Sequence, residues 1–356
     1  MGLLENLSSD SLIKIRKPVL LLGVGGVGSR LASRIAKELR CSCSIVTDDE
    51  MCETGGYPTV LINTESWVNP SGRKLRFYAQ ASADKIKSLI AGYNTVLIIG
   101  NLAGKAGIAL CPTICNIIKN HQPFASNQTS DCPSSNSDSP QQLTTTANID
   151  VISFVIMPFK FEKGRIFEAG ISLRRIRESA GAVVVIDNDA LLDNNPDLTI
   201  SQCYDLTNQA IFDTISSLYK TEFNGDLNLL GIGRPDRDSV SSSAMDSLAM
   251  LLDTADADSV RRTLVYVMGG DRISVGAMDR LVNTVQAIFR KDNLSDVNLM
   301  MSSPGYVSVN LIASVITRTK FDSYDPLSEI IPSKNNLDCD ELDCSPEFSL
   351  DIRSVE

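Results

Sequence analysis

Residues 18–37, PVLLLGVGGVGSRLASRIAK, set an apolar run, a glycine cluster and a helical pattern in series, and give the chain its clearest means of holding a phosphate. Gly23-Val24-Gly25-Gly26-Val27-Gly28-Ser29 satisfies the spacing G-x-G-x-x-G. Glycine admits positive φ and close approach of backbone to ligand, and the start of the following helix offers unpaired N–H groups to an anion. A second glycine segment, Gly100-Asn101-Leu102-Ala103-Gly104-Lys105-Ala106-Gly107, invites comparison with a Walker loop. It fails, because Gly100 is one residue too close to Gly104-Lys105 and Ala106 stands where a hydroxyl would hold magnesium. Through Gly104 and Gly107 it reads as a weaker anion site or as a plain surface turn. Asp48, about 20 residues past Gly28, is spaced to bind a ribose.

Counting removes other chemistries. The single histidine, His121, excludes histidine pairs and histidine-rich zinc sites, and is expected to be satisfied or solvated. Nine cysteines, with Cys41/Cys43, Cys111/Cys115 and Cys339/Cys344 off the C-x-x-C spacing, predict mostly buried thiols in a reducing cytoplasm and no metal site. A net charge of −10 opposes nucleic acid and anionic lipid. No apolar run approaches the ~18 residues of a membrane span, so no membrane insertion is expected.

These residues need a scaffold, and the hydrophobic pattern supplies one. Apolar, β-branched runs at 18–23, 44–47, 95–100, 149–161 and 181–188 alternate with helical stripes, which predicts an α/β fold with a Rossmann-like, doubly wound parallel sheet. The polar tract at 126–148 reads as an inserted loop within a nucleotide domain at 1–200. A connecting helix is expected at 201–222, striped by Tyr204, Ile211, Ile215 and Leu218. Strands at 227–233, 261–270, 295–303 and 307–317 around two helices predict a smaller α+β domain at 223–322, followed by an acidic tail at 323–356.

Taken in order, several of these segments resemble the tubulin/FtsZ superfamily, nearest to its FtsZ-like branch. GVGGVGS matches the first nucleotide loop, VTDDE at 46–50 a Thr-Asp loop, VNPSGRK at 68–74 an Asn-Pro-x-x-Gly loop, and MPFKFEKGR at 157–165 the Pro-Phe-x-Phe-Glu segment. The resemblance implies GTP or GDP as ligand and admits Mg2+. Amides of Gly25, Gly26, Gly28 and Ser29 would cradle the phosphates, Glu162 and Arg165 would reach ribose and phosphates, Tyr204 would stack on the purine, and Asn208 would read the guanine edge. It also implies head-to-tail self-association, with an acidic loop of one subunit completing hydrolysis in the next.

Departures from the family pattern bear on that implied chemistry. The family's Gly-Gly-Gly-Thr-Gly-Thr-Gly signature falls on Ala103-Gly104-Lys105-Ala106-Gly107-Ile108-Ala109, without either threonine. Arg30 replaces an Asn directed at the base. In the acidic loop, Asn224 and Asp226 survive as candidate catalytic groups acting in trans, but Leu229 takes the last acidic position, and an aliphatic side chain cannot orient water. The expectation is an FtsZ-like filament protein for division or cell shape, with weak or absent hydrolysis and a site that either holds nucleotide or retains none. The tail's FSLDIR reads either as a motif for a membrane-tethering partner or as a segment without partner. Two other readings of the first loop are an ATP-dependent adenylating enzyme of the ubiquitin-activating type and an NAD-binding oxidoreductase.

Overall fold

The computed structural model describes residues 12–64, 70–121, 148–218, 222–225, 227–236, 239–269, 273–289, 294–300 and 306–325. Val68 and Asn69 of VNPSGRK, Asp226, all of the 126–148 tract but Asn148, and the tail beyond Asp325 fall outside them. In chain order the elements are β1 (Leu12–Lys14), β2 (Val19–Val24), α1 (Gly25–Leu39), β3 (Ser42–Thr47), β4 (Thr59–Leu61), α2 (Gly72–Ala81), α3 (Ala83–Ile90), β5 (Thr95–Asn101) and α4 (Lys105–His121). There follow β6 (Asp150–Ile156), α5 (Lys163–Ser179), β7 (Ala182–Ile186), α6 (Asn188–Asn194) and α7 (Ile200–Ser217). The second half holds β8 (Glu222–Asn224), β9 (Leu227–Ile232), α8 (Val240–Thr254), β10 (Val260–Met268), α9 (Val275–Ile288), β11 (Leu294–Met300), β12 (Ser308–Val315) and a 3₁₀ turn at Lys320–Tyr324.

Parallel strands form the first half in the order β4-β3-β2-β5-β6-β7. Their side chains alternate between two cores. Leu20, Leu22 and Val24 face the core built with α2 to α5, and Leu21 faces the one built with α1, α6 and α7. Burial on both faces is why these strands read as unbroken apolar runs. The chain leaves β2 towards β3 on one side and β5 on the other, so the two glycine segments follow adjacent strands at a topological switch point, where doubly wound sheets bind ligands.

The second half extends this sheet rather than closing its own. β9 pairs in parallel with β7, from Val183↔Leu227 to Ile186↔Leu230, and is followed by antiparallel β12 and β10 and by β11, parallel to β10. Asn228 staples the junction: its Nδ2 donates to the Val183 carbonyl at 3.2 Å and its Oδ1 accepts from Ser314 Oγ at 2.6 Å. The connecting helix stops at Ser217, short of 222, because Glu222–Asn224 pairs as a strand with Leu12–Lys14. Pro112 inside α4 leaves the Ile108 carbonyl without its helical donor, and Ser172 Oγ of α5 supplies one at 2.7 Å.

α7 is joined to α1 by polar contacts. Arg34 donates to Gln209 Oε1 at 3.3 Å, and Gln209 Nε2 donates to Asp213 Oδ1 at 2.9 Å. Burial pushes the Asp213 carboxyl up to about 6, against the opposing effects of the Gln209 bond and Arg34. An unfolded carboxyl titrates near ~3.9, so between about pH 4 and pH 6 the folded state binds more protons and stability falls as pH rises. Asp213→Asn keeps the acceptor and is expected to flatten that slope. It should add about 1–3 kcal/mol at neutral pH, read by urea denaturation across this pH window.

Candidate functional site

Helix α1 begins at Gly25 itself, so the glycine cluster is a first helical turn rather than a free loop. Gly25 has φ +67°, which turns the chain from β2 into the helix and is costly for other residues. No side chain caps this helix and no acid sits in its first turn. The N–H groups of Gly25, Gly26 and Val27 precede the first i→i−4 bond and are free to meet an anion. Those of Gly28 and Ser29 belong to the helical ladder, which corrects the sequence assignment of them as cradle amides. Gly28 instead allows packing, since a Cβ there would lie 2.1 Å from the Ile99 carbonyl oxygen. Gly23 likewise packs against the Cα of Ser29, whose hydroxyl is buried without a partner among the described residues.

The second segment abuts the first. A Cβ on Gly25 would lie 2.9 Å from Ala106 Cβ and 3.7 Å from the Gly107 nitrogen. Three of its amides are committed internally: Leu102 N–H donates to the Ile156 carbonyl at 2.8 Å, Ala103 N–H to Asn101 Oδ1 at 2.8 Å, and Gly104 N–H to the Asn101 carbonyl at 3.3 Å, while those of Lys105, Ala106 and Gly107 precede the first i→i−4 bond of α4. Gly107 serves packing, its Cβ position lying 1.9 Å from the Asn101 carbonyl oxygen. Lys105 opens α4, half-buried, with no hydrogen bond or ion pair among the described residues.

After β6, at the same edge, the MPFKFE segment folds into a turn. The Glu162 carboxylate accepts the Phe159 N–H at 2.9 Å, while the Glu162 N–H donates to the Phe159 carbonyl at 2.8 Å. Phe159 is buried, stacks on the largely exposed Phe161 with centroids 5.0 Å apart, and meets Tyr204 of α7 edge-on at 5.5 Å. Burial, and then the nearby Glu162 charge, push the Tyr204 phenol above its ordinary value. One turn on, Asn208 Oδ1 is buried with no partner among the described residues, an acceptor available to a ligand. Arg165 is turned to its own helix, pairing with Glu168 at 3.3 Å.

Asp48 follows β3, half-buried, on the far side of β2 from β5. Arg30 is exposed on α1. Asn224 lies in β8 and Gly225 is exposed, just before β9 starts opposite Val183, so this segment sits at the N-terminal edge of the sheet, away from Gly25. His121 is the exposed last residue of α4, and the described cysteines 41, 43, 52, 111, 115 and 203 are free thiols. Among the described residues no helix is long and apolar enough to cross a membrane, and no three His, Cys, Asp or Glu side chains gather as a metal site.

No protein-family model matches the chain. Over 214 residues it is 23% identical to cell division protein FtsZ 2 of Halobacterium salinarum, an alignment covering 57% of this chain and 47% of that protein. The chain is similar to FtsZ proteins of the tubulin/FtsZ superfamily. An empty FtsZ dimer from Methanocaldococcus jannaschii shares the superfamily fold with a TM-score of 0.63 at 18% identity, covering 83% of this chain and 87% of that one. A CetZ2 of Haloferax volcanii, solved as a GTPγS-bound protofilament, superposes with a TM-score of 0.58 at 17% identity over 88% of this chain and 97% of its own. The match to the halobacterial FtsZ thus spans about half of that relative. FtsZ and CetZ relationships leave the adenylating-enzyme and nicotinamide readings unfavoured.

Proposed function

We propose that this FtsZ/CetZ-like protein binds guanine nucleotide and assembles head to tail into filaments for division or cell shape, with weak or absent GTP hydrolysis. The observation that carries the reading is the meeting of Gly25 and Ala106 at the switch point, together with Tyr204 against the Phe159 turn that follows β6 and the unpaired Asn208 Oδ1 one turn on along the connecting helix. GTP or GDP would rest its phosphates on the amides of Gly25, Gly26 and Val27. Its purine would lie on Tyr204, and its edge would meet Asn208, which both donates and accepts. The protofilament form of the CetZ2 neighbour supports assembly. So does the polarity of the sheet, because a contact between opposite edges is heterologous and propagates. Weak hydrolysis is supported by Leu229, which is 3% exposed within β9 and cannot present a carboxylate to a neighbour.

Nucleotide extraction tests this. Protein exchanged against mixed nucleotides, washed and denatured is expected to release guanine nucleotide, and release of adenine or nicotinamide compounds instead would refute the reading. GTP should increase the sedimenting fraction while phosphate release stays slow. Tyr204→Ala is expected to weaken GDP binding about tenfold through lost stacking.

A further inference from the structure

The superfamily admits Mg2+ at the nucleotide phosphates, and the donors around this site do not fit it. Phosphate-bound Mg2+ keeps several waters and takes its protein ligands from oxygen, in most sites one or two carboxylates. Ala106 and Ile108 occupy the two threonine positions of the signature, so neither hydroxyl is present. Asn101 Oδ1 accepts the Ala103 N–H, and one oxygen of the Glu162 carboxylate accepts the Phe159 N–H. Asp48, just past β3, is a carboxylate with no hydrogen bond or ion pair among the described residues.

A cation is nevertheless built in. Lys105 is the first residue of α4 and the neighbour of Ala106, the side chain against which Gly25 is packed. Two helix starts therefore converge there, with no acid in the first turn of either. The second segment turns the amides of Leu102, Ala103 and Gly104 inward, which removes those donors from the phosphates and leaves the start of α4 and the Lys105 charge to hold them. A lysine ammonium is a strongly hydrated point charge on a flexible stem, suited to that task and tolerant of imperfect geometry.

From this we infer that Lys105 takes the place of the metal, so that the site holds a nucleoside di- or triphosphate through the α1 amides and the Lys105 ammonium, independently of Mg2+. The inference rests on the nucleotide reading above. Two probes separate the two: a fluorescent GDP analogue and inorganic pyrophosphate, each titrated into the full chain with Mg2+ and with excess EDTA. Expected are affinities unchanged within about threefold between the two conditions, a loss of about tenfold or more in Lys105→Met for both probes, and partial recovery in Lys105→Arg. Thermal unfolding of the variants checks that they remain folded.

If pyrophosphate binds with this dependence and the GDP analogue binds no better, the cation assignment stands and the guanine reading falls. If GDP binding collapses in EDTA, survives Lys105→Met and is lost in Asp48→Asn, a metal held by Asp48 is at work and the inference is overturned. Binding of neither probe overturns both.

Discussion

Lys320→Met is expected to destabilise the protein by about 3–5 kcal/mol, because it strands a buried carboxylate. Asp187 is 3% exposed at the end of β7, where one oxygen caps α6 through the N–H groups of Asp189 and Ala190 and the other accepts from Thr254 Oγ1 at 3.1 Å. Lys320 forms an ion pair with that second oxygen and reaches Asp253 at 3.1 Å. Burial opposes the Lys320 charge, yet Asp187 and Asp253 outweigh it and leave its pKa above the ordinary value. The pair's contribution is therefore complete below the unfolded lysine value of about 10.4 and is lost as pH rises through the higher folded one. Urea denaturation of Lys320→Met, Asp187→Asn and the double variant checks this. The double variant should be more stable than Lys320→Met alone, since the stranded charge is gone. Equal loss in both would mean that the pair is not coupled.

That pair ties α8 and the final 3₁₀ turn to the end of a first-half strand, and it shows what local pattern cannot convey. β2, β5, β6 and β7 were legible because strands covered on both faces carry apolar side chains on both, in nearly unbroken runs. β4 is only Thr59–Leu61 and carries no period, and α2, opened by a Ser71 cap, was passed over between two better patterns. The end of α7 escaped because its stripe does not fade at Ser217. The helix stops where β1, from the far end of the chain, claims Glu222–Asn224. Continuity of the sheet was hidden for a similar reason: Asn228 looks like a break in an apolar strand until Ser314 and the Val183 carbonyl are beside it.

The site was legible as a set of residue types and not as a division of labour. Tyr204 and Glu162 meet around the Phe159 turn, but Glu162 commits a carboxylate oxygen to that turn and Arg165 turns to Glu168. The inward-facing amides of Ala103 and Gly104 depend on Asn101, whose role as a turn acceptor is settled by geometry alone.

The glycines of the first segment give the second large expected effect, a separation of folding from binding within three residues. Gly28→Ala is expected to cost about 3 kcal/mol or more, because its Cβ would lie 2.1 Å from the Ile99 oxygen and 3.0 Å from the Ile99 carbon, backbone atoms that cannot rotate aside. Gly26→Ala meets nothing within 4 Å and removes a flexible residue from a helix, so stability should hold or rise by up to about 1 kcal/mol. The same methyl would occupy the open space over the uncapped amides, and affinity for GDP is expected to fall about tenfold or more. Thermal unfolding and GDP titration on the two variants in parallel make the test. Were Gly26→Ala to lower stability as Gly28→Ala does, the space above Gly26 would be filled by the protein itself and no phosphate could sit there. A stable Gly26→Ala with full GDP affinity would move the phosphates off the start of α1.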